Sequence, residues 1–177
     1  MKDALPLDTL RELMLHMEWA DASVWGAVLA HPVAVQDSRL RDLLLHLHGV
    51  QRAFLAVWTS QPLGNPSAAG SWDPVSAQAA VRAYYSDLQA ALTTFDEATL
   101  LRPVVMPGLE PYEQQMGRRF EAPTLGETML QVVSHSTYHR GQVNARLREV
   151  GGEPPLVDYI AWIWFGRPAP EWTATLS

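Results

Sequence analysis

The chain has 177 residues, 47% of them apolar and 18% charged, a profile that excludes disorder and allows one globular domain with a sizeable core. Thirteen Lys and Arg against nineteen Asp and Glu leave a formal charge of -6, and with no basic cluster a nucleic-acid surface is not expected. There is no cysteine, so disulfides, thiolate metal sites and a cysteine nucleophile are all excluded.

Thr9-Leu-Arg-Glu12 has capping-box form and predicts the start of a first helix. Leu10, Leu13, Met14, Met17, Val24 and Val28 follow at helical spacing, and His31-Pro32 ends the run. His16 lies beside this stripe and reads as a partly buried histidine with a hydrogen bond. A short connection leads to a second helix from near Ser38, carrying Leu40, Leu43, Leu44, Leu47, Val50, Phe54 and Val57. It stops before the turn-rich stretch from Ser60 to Ser67.

Asp73-Pro74 supplies an N-cap and a proline at the first helical position. The third helix carries Val75, Tyr84, Tyr85, Leu88, Leu92 and Phe95 to about Glu97. Pro103, Pro107, Gly108 and Pro111 then argue against a helix, and Val104–Met106 is expected to pair loosely with Met116–Phe120.

Thr124-Leu-Gly-Glu127 is a second capping box, opening a fourth helix that runs to about Val150 and stops at Gly151-Gly152. Asp158 is placed to cap a last short helix over residues 159–165. The expected architecture is a single all-α domain: a four-helix bundle with a long irregular connection between helices three and four and a short C-terminal helix.

His135 and His139 stand four residues apart in the fourth helix, one turn above the other on one face. Two imidazoles so placed can reach one metal ion, and a specific site needs a third donor. His46 and His48 of the second helix are the candidates. His46 shares its face with Leu43, Gly49, Val50 and Ala53, whose small members leave space for an ion and a ligand. His48 shares its face with Gln51 and Arg52 and reads as an exposed or rim histidine. His46 is therefore preferred.

Three neutral imidazoles suit zinc, nickel, iron or manganese. They leave a coordination position open, where an ion can lower the pKa of a bound water or hold a thiol as thiolate. Gln131 and Gln142 border the histidine face and can orient ligands or substrate. Arg140 and Arg146 read as exposed helical arginines, and the tryptophans, including Trp19, Trp25, Trp58, Trp162 and Trp164, as core and rim packing.

Three blocks of sequence resemble the DinB (damage-inducible) and YfiT-like superfamily of metal-binding helical bundles. They are Glu18-Trp-Ala-Asp-Ala22, Asp42-Leu-Leu-Leu-His46-Leu-His-Gly-Val50 and His135-Ser-Thr-Tyr-His139-Arg-Gly-Gln142. The last continues into Leu147-Arg-Glu-Val-Gly151, Pro154-Pro155 and Asp158-Tyr159. The resemblance implies a four-helix bundle, often a homodimer, in which His46, His135 and His139 hold a divalent metal. His16 and His48 depart from the family's usual residues, and His48 stays open as an alternative ligand.

For activity the resemblance implies transfer of a low-molecular-weight thiol, such as mycothiol, bacillithiol or glutathione, to a small electrophilic substrate. Metal-dependent hydrolysis by a bound hydroxide is a second possibility, and a non-catalytic metal-holding bundle a third. Hydrolysis needs a nearby acid or base, and Glu127 and Glu149 are displaced along the helix by two or more turns. No stretch approaches the roughly 18 apolar residues of a membrane span, and no apolar run follows Met1, so no membrane partner and a cytoplasmic location are expected.

Overall fold

A computed structural model describes residues 6–63 and 72–172. Part of the expected turn-rich stretch, residues 64–67, lies outside them. The elements are α1 (Leu7–Leu29), α2 (Pro32–Gln36), α3 (Ser38–Trp58), α4 (Pro74–Leu92), α5 (Glu97–Leu100), α6 (Glu110–Met116), α7 (Leu125–Glu149) and α8 (Tyr159–Trp164). The protein is an all-α bundle whose four long helices are α1, α3, α4 and α7. None of the described helices is long and apolar enough to cross a membrane.

The apolar stripes read from the sequence meet in one core. Leu10, Met14, Met17 and Trp25 of α1 pack with Leu40 and Leu44 of α3, Leu88 of α4, and Met129, Val132 and Leu147 of α7. Each such side chain contributes about 1.5–3 kcal/mol when fully buried. α7 packs against both α1 and α3, and α4 also contacts both of them.

Helix ends follow local chemistry, with departures from expectation. Thr124 and Glu127 form the expected capping box, and the side chains of Asp37 and Asp73 cap α3 and α4. At α1 no such box forms: the helix begins two residues before Thr9, at Leu7. The Leu7 amide donates to Glu97 Oε1, and Glu12 instead accepts from Tyr159 and Arg167. The connection after α1 holds α2, started by Pro32 and capped by His31, whose Nδ1 accepts from the Ala34 amide.

α4 stops at Leu92, short of the expected Glu97. The Thr93 and Thr94 hydroxyls bond back to the Ala90 and Ala91 carbonyls, and Asp96 starts α5 by capping Thr99. The proline-rich connection does contain a helix, α6, because Pro111 falls in its first turn, where its missing N–H costs no helical bond. The extended pairing is also relocated. Pro103 bridges Thr124 rather than residues 116–120, with the Val104 amide on the Pro123 carbonyl and the Leu125 amide on that of Arg102.

Asp158 occupies the N-cap position of α8 without a side-chain capping bond, and Trp164 is 75% exposed rather than packed. The other end of α7 closes in a Schellman turn. The Gly152 amide reaches the Leu147 carbonyl and that of Gly151 the Arg148 carbonyl, with Gly151 at φ +89°. A Cβ on Gly152 would stand 2.4 Å from Leu147 Cδ1, so only glycine fits.

Candidate metal centre

α3 and α7 run side by side, and their shared edge gathers three histidines. His46 comes from α3, and His135 and His139 come from successive turns of α7. One ring nitrogen of each lies within 4.8 Å of the others. The ring centroids are 4.2 Å apart for His135 and His139, 4.5 Å for His46 and His139, and 5.3 Å for His46 and His135. Nitrogens sharing one zinc at about 2.0–2.1 Å stand roughly 4 Å apart at most, so the rings converge to within a small side-chain adjustment of that geometry.

His46 is exposed, and His135 and His139 are half-buried, so the cluster is open to solvent on one side. Burial, and then the neighbouring imidazoles, lower the pKa of His46 and His135, favouring the neutral form that a metal requires. His139 Nδ1 stands 2.7 Å from Gln142 Oε1. An amide oxygen only accepts, so the proton sits on Nδ1 and Nε2 keeps a free lone pair. His135 Nδ1 is buried with no hydrogen-bond partner. The three-imidazole donor set, the lowered pKa of His46 and His135 and this uncompensated nitrogen all fit a divalent cation.

Of the two amides expected at this face, Gln142 is therefore joined to the site. Gln131 is exposed and has no hydrogen bond to any of the three histidines.

His48 faces inward, the reverse of the surface position expected for it. Its side chain is 12% exposed, whereas His46 is the exposed one. The expected faces of α3 are thus interchanged, although His46 is the residue that joins the pair. Both nitrogens of His48 are engaged. Trp25 Nε1 donates to Nε2 at 2.9 Å, so Nδ1 carries the proton and donates to Gln51 Oε1 at 2.8 Å. Burial lowers the pKa of this ring, in keeping with a neutral imidazole. A neutral ring so bonded has no lone pair left for a metal.

From Gln51 the hydrogen bonds continue into a buried polar cluster. Gln51 Nε2 donates to Asp21 Oδ2 at 2.8 Å and to Ser136 Oγ at 3.0 Å. The Tyr85 hydroxyl also donates to Asp21 Oδ2, and Arg140 donates to Asp21 Oδ1 at 2.6 Å. Arg140 is 2% exposed, so it is not the surface arginine expected. Burial pushes the Asp21 carboxyl up, but Arg140 and the Tyr85 and Gln51 hydrogen bonds outweigh it, and the net direction is down. Burial, and then Asp21, push the Tyr85 hydroxyl far up, so it remains a donor.

Arg146 is held by Asp37 and Glu149, which leaves it no free role at the cluster. His16 is buried as expected, and its Nε2 is 3.0 Å from the Val157 carbonyl oxygen.

The three matching sequence blocks therefore supply an open imidazole cluster on one side of the α3–α7 seam and a buried ion-pair network on the other. A comparison with known protein families matches residues 8–171 to the DinB family. The chain belongs to the DinB family. No curated protein and no solved structure matches it. Family membership extends over all four long helices and so takes in both clusters.

Proposed function

We propose that this DinB-family protein binds one divalent metal ion through His46, His135 and His139 and uses it to activate a low-molecular-weight thiol for transfer to a small electrophile. The observation that carries this reading is the convergence of three ring nitrogens to within 4.8 Å on an edge left open to solvent. A divalent ion held there would stabilise a thiol as thiolate, a strong nucleophile at neutral pH. Gln142 holds the proton of His139 on Nδ1, directing Nε2 to the ion. The buried Asp21–Arg140 pair ties α7 to α1 and keeps the two histidine-bearing turns in register.

The chain has no cysteine, so the thiol is a cosubstrate. Its sulfur–carbon bond forms as the electrophile's leaving group departs, and the thiol proton passes to solvent. Hydrolysis is less well supported. Among the described residues no carboxylate belongs to the histidine cluster, and a hydrolase needs a general base or acid there.

The test is conjugation of monochlorobimane with a panel of low-molecular-weight thiols, by metal-loaded, metal-free and His139→Ala protein. Turnover that needs both the metal and His139 is expected. A rate for loaded protein equal to that of metal-free protein with every thiol would sink the proposal.

A further inference from the structure

Away from the three histidines, side chains of α1, α3 and α4, with Trp72 just before α4, line a cavity of about 380 Å³. An engineered core cavity of roughly 150 Å³ already admits benzene, and small-molecule sites span about 300–1,000 Å³. None of His46, His135 and His139 lines this cavity, so it is a separate site and its argument does not depend on the metal.

One wall is aromatic. Trp25 stacks with His48 on one hand and Trp72 on the other, at interplanar angles of 25° in both pairs and centroid distances of 5.9 and 6.3 Å. Leu44, Val81 and Tyr84 extend the lining. Both nitrogens of His48 are already bonded, so that ring offers the cavity no free polar atom. The Tyr84 hydroxyl is buried without a partner, a cost that an ordered water or a ligand oxygen nearby would offset.

Among the described residues of the lining Arg52 brings the one cationic side chain, and it is exposed. One of its amines donates to the Ala80 carbonyl of α4 at 2.6 Å, which fixes the guanidinium across the α3–α4 gap. No ion pair with a carboxylate engages it among the described residues. A stacked indole wall prefers a flat π-surface, and a guanidinium held by one amine keeps N–H donors for a planar anion. We infer that this cavity binds a small aromatic carboxylate, its ring against Trp72, which the buried Trp25 backs, and its carboxylate at Arg52.

Gly49 lets the inference be tested without disturbing the fold. It lines the cavity, and a Cβ added to it meets nothing within 4 Å. Gly49 is exposed, so a leucine there narrows the cavity from its open rim and also suits the interior of α3 better than glycine. The probe is 2-naphthoate, titrated by calorimetry and ligand-observed NMR into metal-loaded and chelator-treated protein, with neutral 2-naphthamide as control.

One-site, saturable binding is expected, equal in the two metal states and in His46→Ala. Gly49→Leu should weaken it by about tenfold or more, since the ring would be displaced. Arg52→Gln should weaken it severalfold and abolish the preference for naphthoate over naphthamide. Three results overturn the inference: no saturable binding, undiminished affinity in Gly49→Leu with a native melting profile, or loss of binding in His46→Ala. Arg52→Gln alters an exposed side chain, so an undiminished preference for the anion in that variant also overturns it, however Gly49→Leu folds.

Discussion

The two sides of the α3–α7 seam are built from sequence neighbours and do opposite things. His135 adjoins Ser136, His139 adjoins Arg140, and His46 is two residues from His48. One member of each pair stands on the open edge with a nitrogen directed at its fellows, and the other is locked in a buried network. One helical step of about 100° separates the members of the two α7 pairs, and two steps, about 200°, separate His46 from His48. Polar residues alone therefore do not define the candidate metal site. It is defined by imidazoles whose lone pairs the protein leaves unspent, whereas those of His48 are spent on Trp25 and Gln51.

The largest expected effect breaks the open side. His46→Ala, His135→Ala or His139→Ala should each abolish stoichiometric metal binding in elemental analysis and calorimetry. The melting of the metal-free protein should move little, within about 0.5 kcal/mol, as expected for substitutions near the surface. His48→Ala should do the reverse, retaining the metal while losing about 1–3 kcal/mol from the orphaned Trp25 and Gln51 groups. Full metal occupancy in any of the first three variants would overturn the ligand assignment.

Breaking the buried side comes next. Arg140→Ala leaves the Asp21 carboxylate uncompensated where both groups are almost wholly buried, and should cost about 3–5 kcal/mol in urea or thermal unfolding. The double variant Asp21→Asn, Arg140→Leu should recover part of that loss, because no bare charge then remains. A variant Arg140→Ala that unfolds like the parent would show that the pair does not hold the helices.

Gln142 connects the open side to its support. Gln142→Leu removes the acceptor of the His139 proton and should lower metal affinity about 10- to 100-fold without changing stoichiometry. Competition with a chelator of known affinity measures it.

The smallest effect is on pH dependence. The Asp21 carboxyl lies below its usual value of 3.8 in the folded protein. The unfolded chain therefore binds more protons near that pH, and stability rises with pH there. The contribution of Asp21 should be complete above about pH 4 and lost as the pH falls through the lower folded value. Unfolding curves for Asp21→Asn should have a flatter acid limb than the parent, and parallel limbs would argue against it.

Much of the fold was legible because its signals are local. The stripes of α1, α3 and α7, the Asp73-Pro74 start and the Thr124–Glu127 box each depend on residues within a turn or two of one another. The start of α1 is not legible locally because its deciding partner, Glu97, is distant in sequence. The histidine pair was legible for the same local reason. The faces of α3 are not legible from its local pattern: His46 sits outside, beside the pair, and His48 within.

The buried network was not legible as a network. Its contacts span sequence separations of 30, 85 and 119 residues. A trace was present even so: Asp21 falls four residues after Met17 and four before Trp25, squarely in the apolar stripe of α1. A carboxylate in that position demands a buried cation, and Arg140 was available in the motif block of α7.

The one-step alternation along α7 also bears on where this chain tolerates insertions and deletions. One residue added between Met129 and His135 would turn the rest of the helix by about 100°. The histidines would be carried away from His46 and Arg140 away from Asp21. The Schellman turn at Gly151 and Gly152, closed tightly on Leu147, gives the far end no slack to absorb the change. An insert of seven residues would restore the faces to within about 20°, but would shift them by two turns along the axis. Length variation among relatives should therefore collect between α5 and α7, where the chain is mostly exposed and irregular, and should be nearly absent from the 25 residues of α7.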